Sequence, residues 1–250
     1  MTQTRKSTKI VAMMLTLTML LSVFCFKAVT PVSASTAPRV SFYSMGGINT
    51  RHGITTYEVF VQTNDNANDQ AVTIHYFYMP NLGWTDTKAT YVTTLSDGSK
   101  IWRAVFTSYK CQFAIKYEAD GEVFWDNNNG NDYTSANVIG AAPIASERLS
   151  VYQFSGRDYT INAILKNFAY EKNVFVRYTT DGWNTYSDQA LSYVNTNSDG
   201  TERWSTKLSL EGVNTSSGFE YAICYQVNGQ EYWANYFGAN YDINYAMSPL

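Results

Sequence analysis

A chain of 250 residues, 45% of them apolar and only 16% charged, holds enough hydrophobic side chains to close one large core or two modest ones. Its net charge of −3 gives no basic footprint for nucleic acid. Three cysteines are too few for a disulfide framework.

The N-terminus reads as a leader. Arg5, Lys6 and Lys9 precede an apolar run from Ile10 to Phe26, and Val32-Ser33-Ala34 supplies a small-residue cleavage site. This is the pattern of a secretory signal peptide over residues 1–34, so the expected mature protein is extracellular, released or held at a surface, with no membrane segment. Without the leader the chain keeps 14 basic and 21 acidic residues, a net charge of −7, and two cysteines, Cys111 and Cys224. Cys224 lies in a strand-like run, where a lone thiol reads as a small buried hydrophobe.

Beyond residue 34 the chain alternates apolar and polar residues in short runs, among them TYEVFVQT, VTIHYFY, VFVRYTT and FEYAICYQV, separated by Asn, Asp and Gly clusters. Such runs predict strands. No segment shows a helical period, and Tyr, Thr, Val and Phe dominate the runs, so the fold class is all-β. The chain is also duplicated. FAIKYEADGEVFWDNNNGNDY (113–133) and YAICYQVNGQEYWANYFGANY (221–241) superpose without a gap at an offset of 108. Upstream, at an offset of 102, Tyr91 faces Tyr193 and Trp102 faces Trp204, while VTIHY faces VFVRY. A period near 100 residues is that of a repeated domain. The predicted organisation is two tandem immunoglobulin-like β-sandwich domains, residues 35–137 and 148–250, joined by a short linker at 138–147.

Each copy places aromatics beside carboxamides. Trp84 and Trp183 each follow a glycine at a predicted hairpin turn, where an indole is either half exposed or folded back as a lid on the core. Trp102 and Trp204 head alternating strands and belong to core packing. Strand alternation sends Phe124 and Trp125, and likewise Tyr232 and Trp233, to opposite faces, so one of each pair must point outward. An exposed indole next to Asp126, Asn127 and Asn128 suits a sugar. The C–H face of a glucose ring stacks on the indole, and its hydroxyls meet groups that both donate and accept. Asn129 and Gly130 read as turn residues.

These residues resemble carbohydrate-binding module family 21, the starch- and glycogen-binding β-sandwich of fungal glucoamylases and of glycogen-targeting phosphatase subunits. The likeness covers nearly all the chain past the leader, twice, and is closest in KNFAYEKNVFVRYTTDGW (166–183) and EYWANYFGANY (231–241). For the second copy it implies a main site with Trp183 and Trp233 as platforms and Asn167, Lys172, Asn235 and Asn240 around them, and a second site at Tyr170 and Tyr193. This sequence departs from the family at Ala234, where the family has aspartate, and at Ala222, where the glucoamylase version stacks a tyrosine. In the first copy Trp84, Trp125, Asp126 and Asn127 match the main site. Asp132 replaces the family's asparagine, and Asn68 and Gln70 stand where the second copy has Tyr170 and Lys172. The resemblance together with the leader implies a secreted, non-catalytic, monomeric binder of α-glucan.

The alternatives are distinct. A glycosidase needs a facing carboxylate pair, and no carboxylate is shared by both copies at such a position. A calcium loop is suggested by NDNANDQ (64–70) and DNNNGND (126–132), but neither fits D-x-[DN]-x-[DN]-G. No cofactor or metal is expected. Arg39-Val40-Ser41-Phe42 spells a short phosphatase-docking motif, yet the repeat sets it opposite Arg148–Tyr152 as a first strand. Other readings are a protein-interaction pair, a binder of β-glucan or xylan, and an accessory subunit of a secreted amylase or a surface partner.

Overall fold

The computed structural model describes residues 37–51, 53–147, 150–152, 158–210 and 218–242. Residues 1–34, read as a leader, lie outside the described residues. The fold is all-β, with four sheets forming two sandwiches. In the first half, β1 (Val40–Arg51), β2 (Ile54–Thr63), β6 (Lys100–Ser108) and β5 (Thr90–Thr94) form one sheet in that order. β4 (Gly83–Lys88), β3 (Gln70–Met79), β7 (Gln112–Ala119) and β8 (Glu122–Asp126) form the other, with β9 (Tyr133–Thr134) also on β7.

The second half repeats this plan. One sheet has β10 (Ile144–Ser146) and β11 (Ser150–Tyr152) on β12 (Asp158–Lys166), then β16 (Thr201–Ser209) and β15 (Ser192–Thr196). Its partner orders β14 (Ser187–Ala190), β13 (Lys172–Thr179), β17 (Glu220–Val227) and β18 (Gln230–Ala234), with β19 (Tyr241–Asp242) on β17. The duplication reaches the irregularities: the ladder shifts register between Tyr91 and Thr93 in one copy and between Tyr193 and Asn195 in the other.

Each core is made by the inward set of the alternating runs. Val59, Val61, Val72, Ile74, Phe113, Ile115 and Tyr117 fill the first sandwich, and Ile161, Ala163, Val174, Val176, Tyr221, Ile223 and Tyr225 fill the second. Trp102 and Trp204 pack against these cores with their indole N–H groups held by Thr63 Oγ1 and Glu202 Oε2. Cys111 and Cys224 are free and buried, and burial pushes each thiol up to about 12.

The segment 138–147, expected as a linker, is packed throughout. Met45 donates to the Val138 carbonyl, Gly140 and Ala142 donate to the Tyr43 carbonyl, and Ala141 donates to that of Phe42. Ile139, Ala142 and Ala145 then cover Ile164 on the outer side of β12, forming a third apolar cluster. Gly140 is required here, because a Cβ would sit 2.3 Å from the Phe42 carbonyl oxygen. Gly140→Ala must therefore move backbone, and a loss of about 1–3 kcal/mol is expected in a urea titration.

Beside this segment the two sandwiches meet directly. On the outer side of β2, Phe60 lies against Tyr236 and Phe237, with centroids 5.8 and 4.9 Å away, and Tyr43 lies 5.7 Å from Phe237. Glu58, 1% exposed, pairs with Arg103 and accepts a hydrogen bond of 2.7 Å from the Tyr236 hydroxyl. Burial, reinforced by that carboxylate, pushes the Tyr236 phenol up to about 12, so it stays a donor.

Candidate functional site

In the first half, strand alternation puts His75, Trp84 and Trp125 on the outer side of the β4-β3-β7-β8 sheet. His75 stacks on Trp84 at 4.9 Å and 10°, and meets Trp125 edge-on at 6.0 Å. Asp86, opposite His75 in the ladder, holds its Nδ1 at 2.6 Å. Trp84 and Trp125 stay 39% and 52% exposed. Phe124, on the other side of β8, packs against the core. The result is an open shelf with two indoles and a polar ring between them.

The second half builds the same shelf from different residues. Arg177 replaces His75, and Asp188 replaces Asp86, gripping the guanidinium through two bonds of 2.7 Å. This bidentate pair is the stronger form of charge-assisted hydrogen bond, and it holds the Asp188 carboxyl below its usual range. Arg177 lies 4.3 Å from the Tyr186 ring and 5.5 Å from that of Trp233. Trp233 is also edge-on to Phe175 at 5.9 Å. In the ladder Arg177 stands opposite Ala222, and Phe175 and Trp233 opposite Cys224, and both small residues are buried.

The register sets Arg177 and Asp188 where His75 and Asp86 stand, an offset of 102 that carries Trp84 to Tyr186 just before β14, whereas the Gly-Trp dipeptides alone match it with Trp183. Tyr186, His75 and Arg177 are the residues missed by sequence reasoning. The signal was present, since the offset of 102 that pairs Tyr91 with Tyr193 also carries position 84 to 186. Trp183 sits in a turn at φ +66°, its indole donating to Glu220 Oε2 at 2.5 Å and Asn240 Nδ2 donating to the same oxygen at 3.1 Å. Glu220 ties these two residues to the start of β17, where Thr179 of β13 faces it.

The residues grouped by resemblance into one main site fall at separate places. Lys172 opens β13 and Thr179 closes it, so seven residues at about 3.3 Å each set Asn167 and Lys172 some ~23 Å from the Trp183 end. Lys172 is not presented to solvent. Its side chain is 3% exposed, its ammonium is held by Glu202 at 2.8 Å, and it also donates to Asn167 Oδ1 at 2.6 Å. Glu202 also holds the Trp204 indole, and Trp204 packs edge-on against Tyr193. This chain joins Asn167, Lys172 and Tyr193 at one end of the sandwich. Tyr170 stands 93% exposed, and Tyr193 52%.

The carboxamide block is largely a turn. Asp126 faces inward, accepting from the Phe42 N–H at 2.8 Å and from the Tyr133 hydroxyl. Asn127 and Asn235 cap short 3₁₀ turns, at 128–130 and 236–238, by accepting from Gly130 N and Gly238 N. Asn128 and Asn129 take positive φ, and Asn128 Nδ2 donates to the Asp132 carbonyl. NDNANDQ is likewise organised around Asp65, which accepts from Arg39, Ala67, Gln70 and Tyr117. Among the described residues no group of three or more His, Cys, Asp or Glu is placed to hold a metal ion. Val40 and Phe42 of the docking-like Arg39–Phe42 stretch are 5% and 2% exposed.

Residues 147–244 match the carbohydrate/starch-binding module (family 21). Among related proteins, protein phosphatase 1 regulatory subunit 3B of Xenopus tropicalis is 37% identical over 82 residues, covering 32% of this chain and 27% of that protein. Glycogen-binding subunit 76A of Drosophila melanogaster is 33% identical over 78 residues, 31% of this chain and 12% of that protein. The chain therefore spans less than a third of the length of these relatives. The solution structure of the carbohydrate-binding module of the muscle glycogen-targeting subunit of protein phosphatase-1 is 28% identical, covering 40% of this chain and 73% of that one, with a TM-score of 0.35. These relatives correct one expectation. One is named as a regulatory subunit of protein phosphatase 1 and the other as a glycogen-binding subunit, and the extracellular location inferred from residues 1–34 does not stand against them.

Proposed function

We propose that this chain is a non-catalytic α-glucan binder whose two sandwiches are both carbohydrate-binding modules. The observation that carries the reading is the repeated shelf: Trp84 and Trp125 around His75, Tyr186 and Trp233 around Arg177. Two ring systems held apart by a polar group offer successive glucosyl units a stacking plane each, with N–H donors between them. The family match at residues 147–244 supports the second shelf, and the shared topology and ladder irregularities support the first as its duplicate. In this reading Asn235, Asn240 and Trp183 serve the second shelf and Asn127 the first, while Tyr170 and Tyr193 offer further exposed rings. Lys172 and Asp126 act through the fold, by placing Asn167 and the 127–132 turn.

The relatives' names supply glycogen as one α-glucan and a phosphatase, not an amylase, as the kind of assembly in which such modules serve. Arg39–Phe42 is no candidate for phosphatase contact, because its apolar residues lie within the first core.

Affinity gels containing amylopectin, glycogen, β-glucan or xylan test the ligand class. Retardation is expected in the first two, and retardation confined to the last two would overturn the reading. Each stacked ring is worth roughly 1–3 kcal/mol by analogy with bases on aromatics, so Trp125→Ala or Trp233→Ala alone is expected to weaken maltoheptaose binding at its own shelf about 5- to 160-fold.

A further inference from the structure

Between the two sandwiches the structure leaves an open cleft of about 520 Å³, within the size range of small-ligand sites. One wall comes from the first half and carries Asn128 and Asn137; the other comes from the second half and carries Lys166, Asn167, Phe168 and Asp199. Its floor is the packed 138–147 segment, where Gly140 crosses Phe42 with no room for a side chain.

The wall chemistry is specific in kind. Phe168 is 44% exposed and held flat by Tyr225, whose ring stacks at 6.0 Å and 19°, with Tyr232 at 5.6 Å completing its backing. It is an apolar plane backed by two aromatic rings. Lys172 takes the Oδ1 of Asn167 at 2.6 Å, which leaves the amide NH₂ as a donor. Lys166 donates to the Ala141 carbonyl at 3.2 Å, and its other ammonium hydrogens have acceptors to gain. Burial lowers its pKa, which marks the ammonium as poorly hydrated. One ammonium and one carboxylate cancel, so the cleft favours neither an anion nor a cation. A plane, carboxamides and balanced charge suit a neutral polyol with one apolar face.

We propose that this cleft is a further α-glucan site, built jointly by the two halves, with Phe168 as its platform and Asn167, Asn128 and Lys166 as hydrogen-bonding groups. The assignment of the ligand to α-glucans rests on the function proposed above. The site is a property of the pair: neither sandwich alone has both walls.

The test uses the full chain, with maltotriose as the probe and ¹⁵N–¹H spectra as the readout. In a Trp125→Ala/Trp233→Ala protein, whose shelves are crippled, the amides of Gly140, Asn167 and Gly200 are expected to shift saturably on titration. Adding Phe168→Ala should abolish those shifts. Asn167→Asp, which keeps the acceptor for Lys172 but loses the donor, should weaken them about tenfold or more without unfolding the chain. Cleft amides that stay still while shelf amides of the parent protein move would overturn the cleft and leave the shelves intact. Cleft shifts unaffected by both substitutions would also overturn it. A parent protein in which no amide responds would overturn the glucan reading itself, and the cleft proposal with it.

Discussion

Replacing Lys172 with methionine is expected to lower the stability of the chain by about 3–5 kcal/mol, the cost of stranding one partner of a buried ion pair. The pair is buried on both sides, with Lys172 3% and Glu202 8% exposed, and Glu202 has a second obligation to the Trp204 indole. Without the ammonium, a carboxylate is left in the wall of the sandwich with one neutral donor. Urea titration of Lys172→Met measures the loss. Lys172→Met/Glu202→Gln should recover most of it, because the amide still accepts from Trp204 and carries no charge. A Lys172→Met protein as stable as the parent but unable to bind glucan would instead make Lys172 a sugar contact.

The second large effect is expected at the contact between the halves. The turns 128–130 and 236–238 have the same backbone: Asn128 and Asn129 at φ +53° and +57°, Tyr236 and Phe237 at +51° and +56°. Asparagine tolerates this left-handed region, whereas bulky aromatics there cost roughly 1–2 kcal/mol each. Something must offset that strain, and the first sandwich does so by covering both rings with Phe60 and Tyr43 and by presenting Glu58 to the Tyr236 hydroxyl. Tyr236→Asn/Phe237→Asn restores the first copy's residues and so leaves the backbone unstrained. It is nevertheless expected to destabilise by about 2–4 kcal/mol through lost aromatic burial, and to leave Glu58 without a partner across the contact. Calorimetry should show one cooperative transition in the parent and two in the variant. A single unshifted transition in the variant would mean that the contact carries no energy.

Much of the fold was legible because strand alternation and the duplication report on the same thing, the inward set of each sheet. Phe124 and Trp125 went to opposite sides as alternation requires, and Trp102 and Trp204 went to the cores. The platforms were half legible. Trp84, Trp125 and Trp233 stand on outer faces, but a Gly-Trp dipeptide is a local likeness, and the ladder, which is not local, selects Tyr186 as the match of Trp84. The family resemblance implies Lys172 as a site residue, but such a likeness does not separate a solvent-facing ammonium from one paired inside a wall; its partner Glu202 is thirty residues away. The carboxamide block serves two readings for a related reason. Asn caps turns and tolerates positive φ as readily as it binds hydroxyls, and only the hydrogen bonds of Asp126 and Asn127 separate those uses. The segment 138–147 looked like a linker because small uncharged residues suit both a flexible tether and a tightly packed crossing such as Gly140 over Phe42.

That packed crossing bears on how the second half could be reused. Many small binding modules travel well as fusion tags, because their ends are free and their surfaces were exposed to begin with. A tag cut from this chain at residue 145 would take along the Tyr236–Phe237 turn but abandon the face that covers it, and would sever Ile144 from β10. Two uncovered aromatics beside a frayed edge strand form an adhesive spot, so the grafted half would cling to its new host or to copies of itself. The smallest transplantable piece is the joined pair.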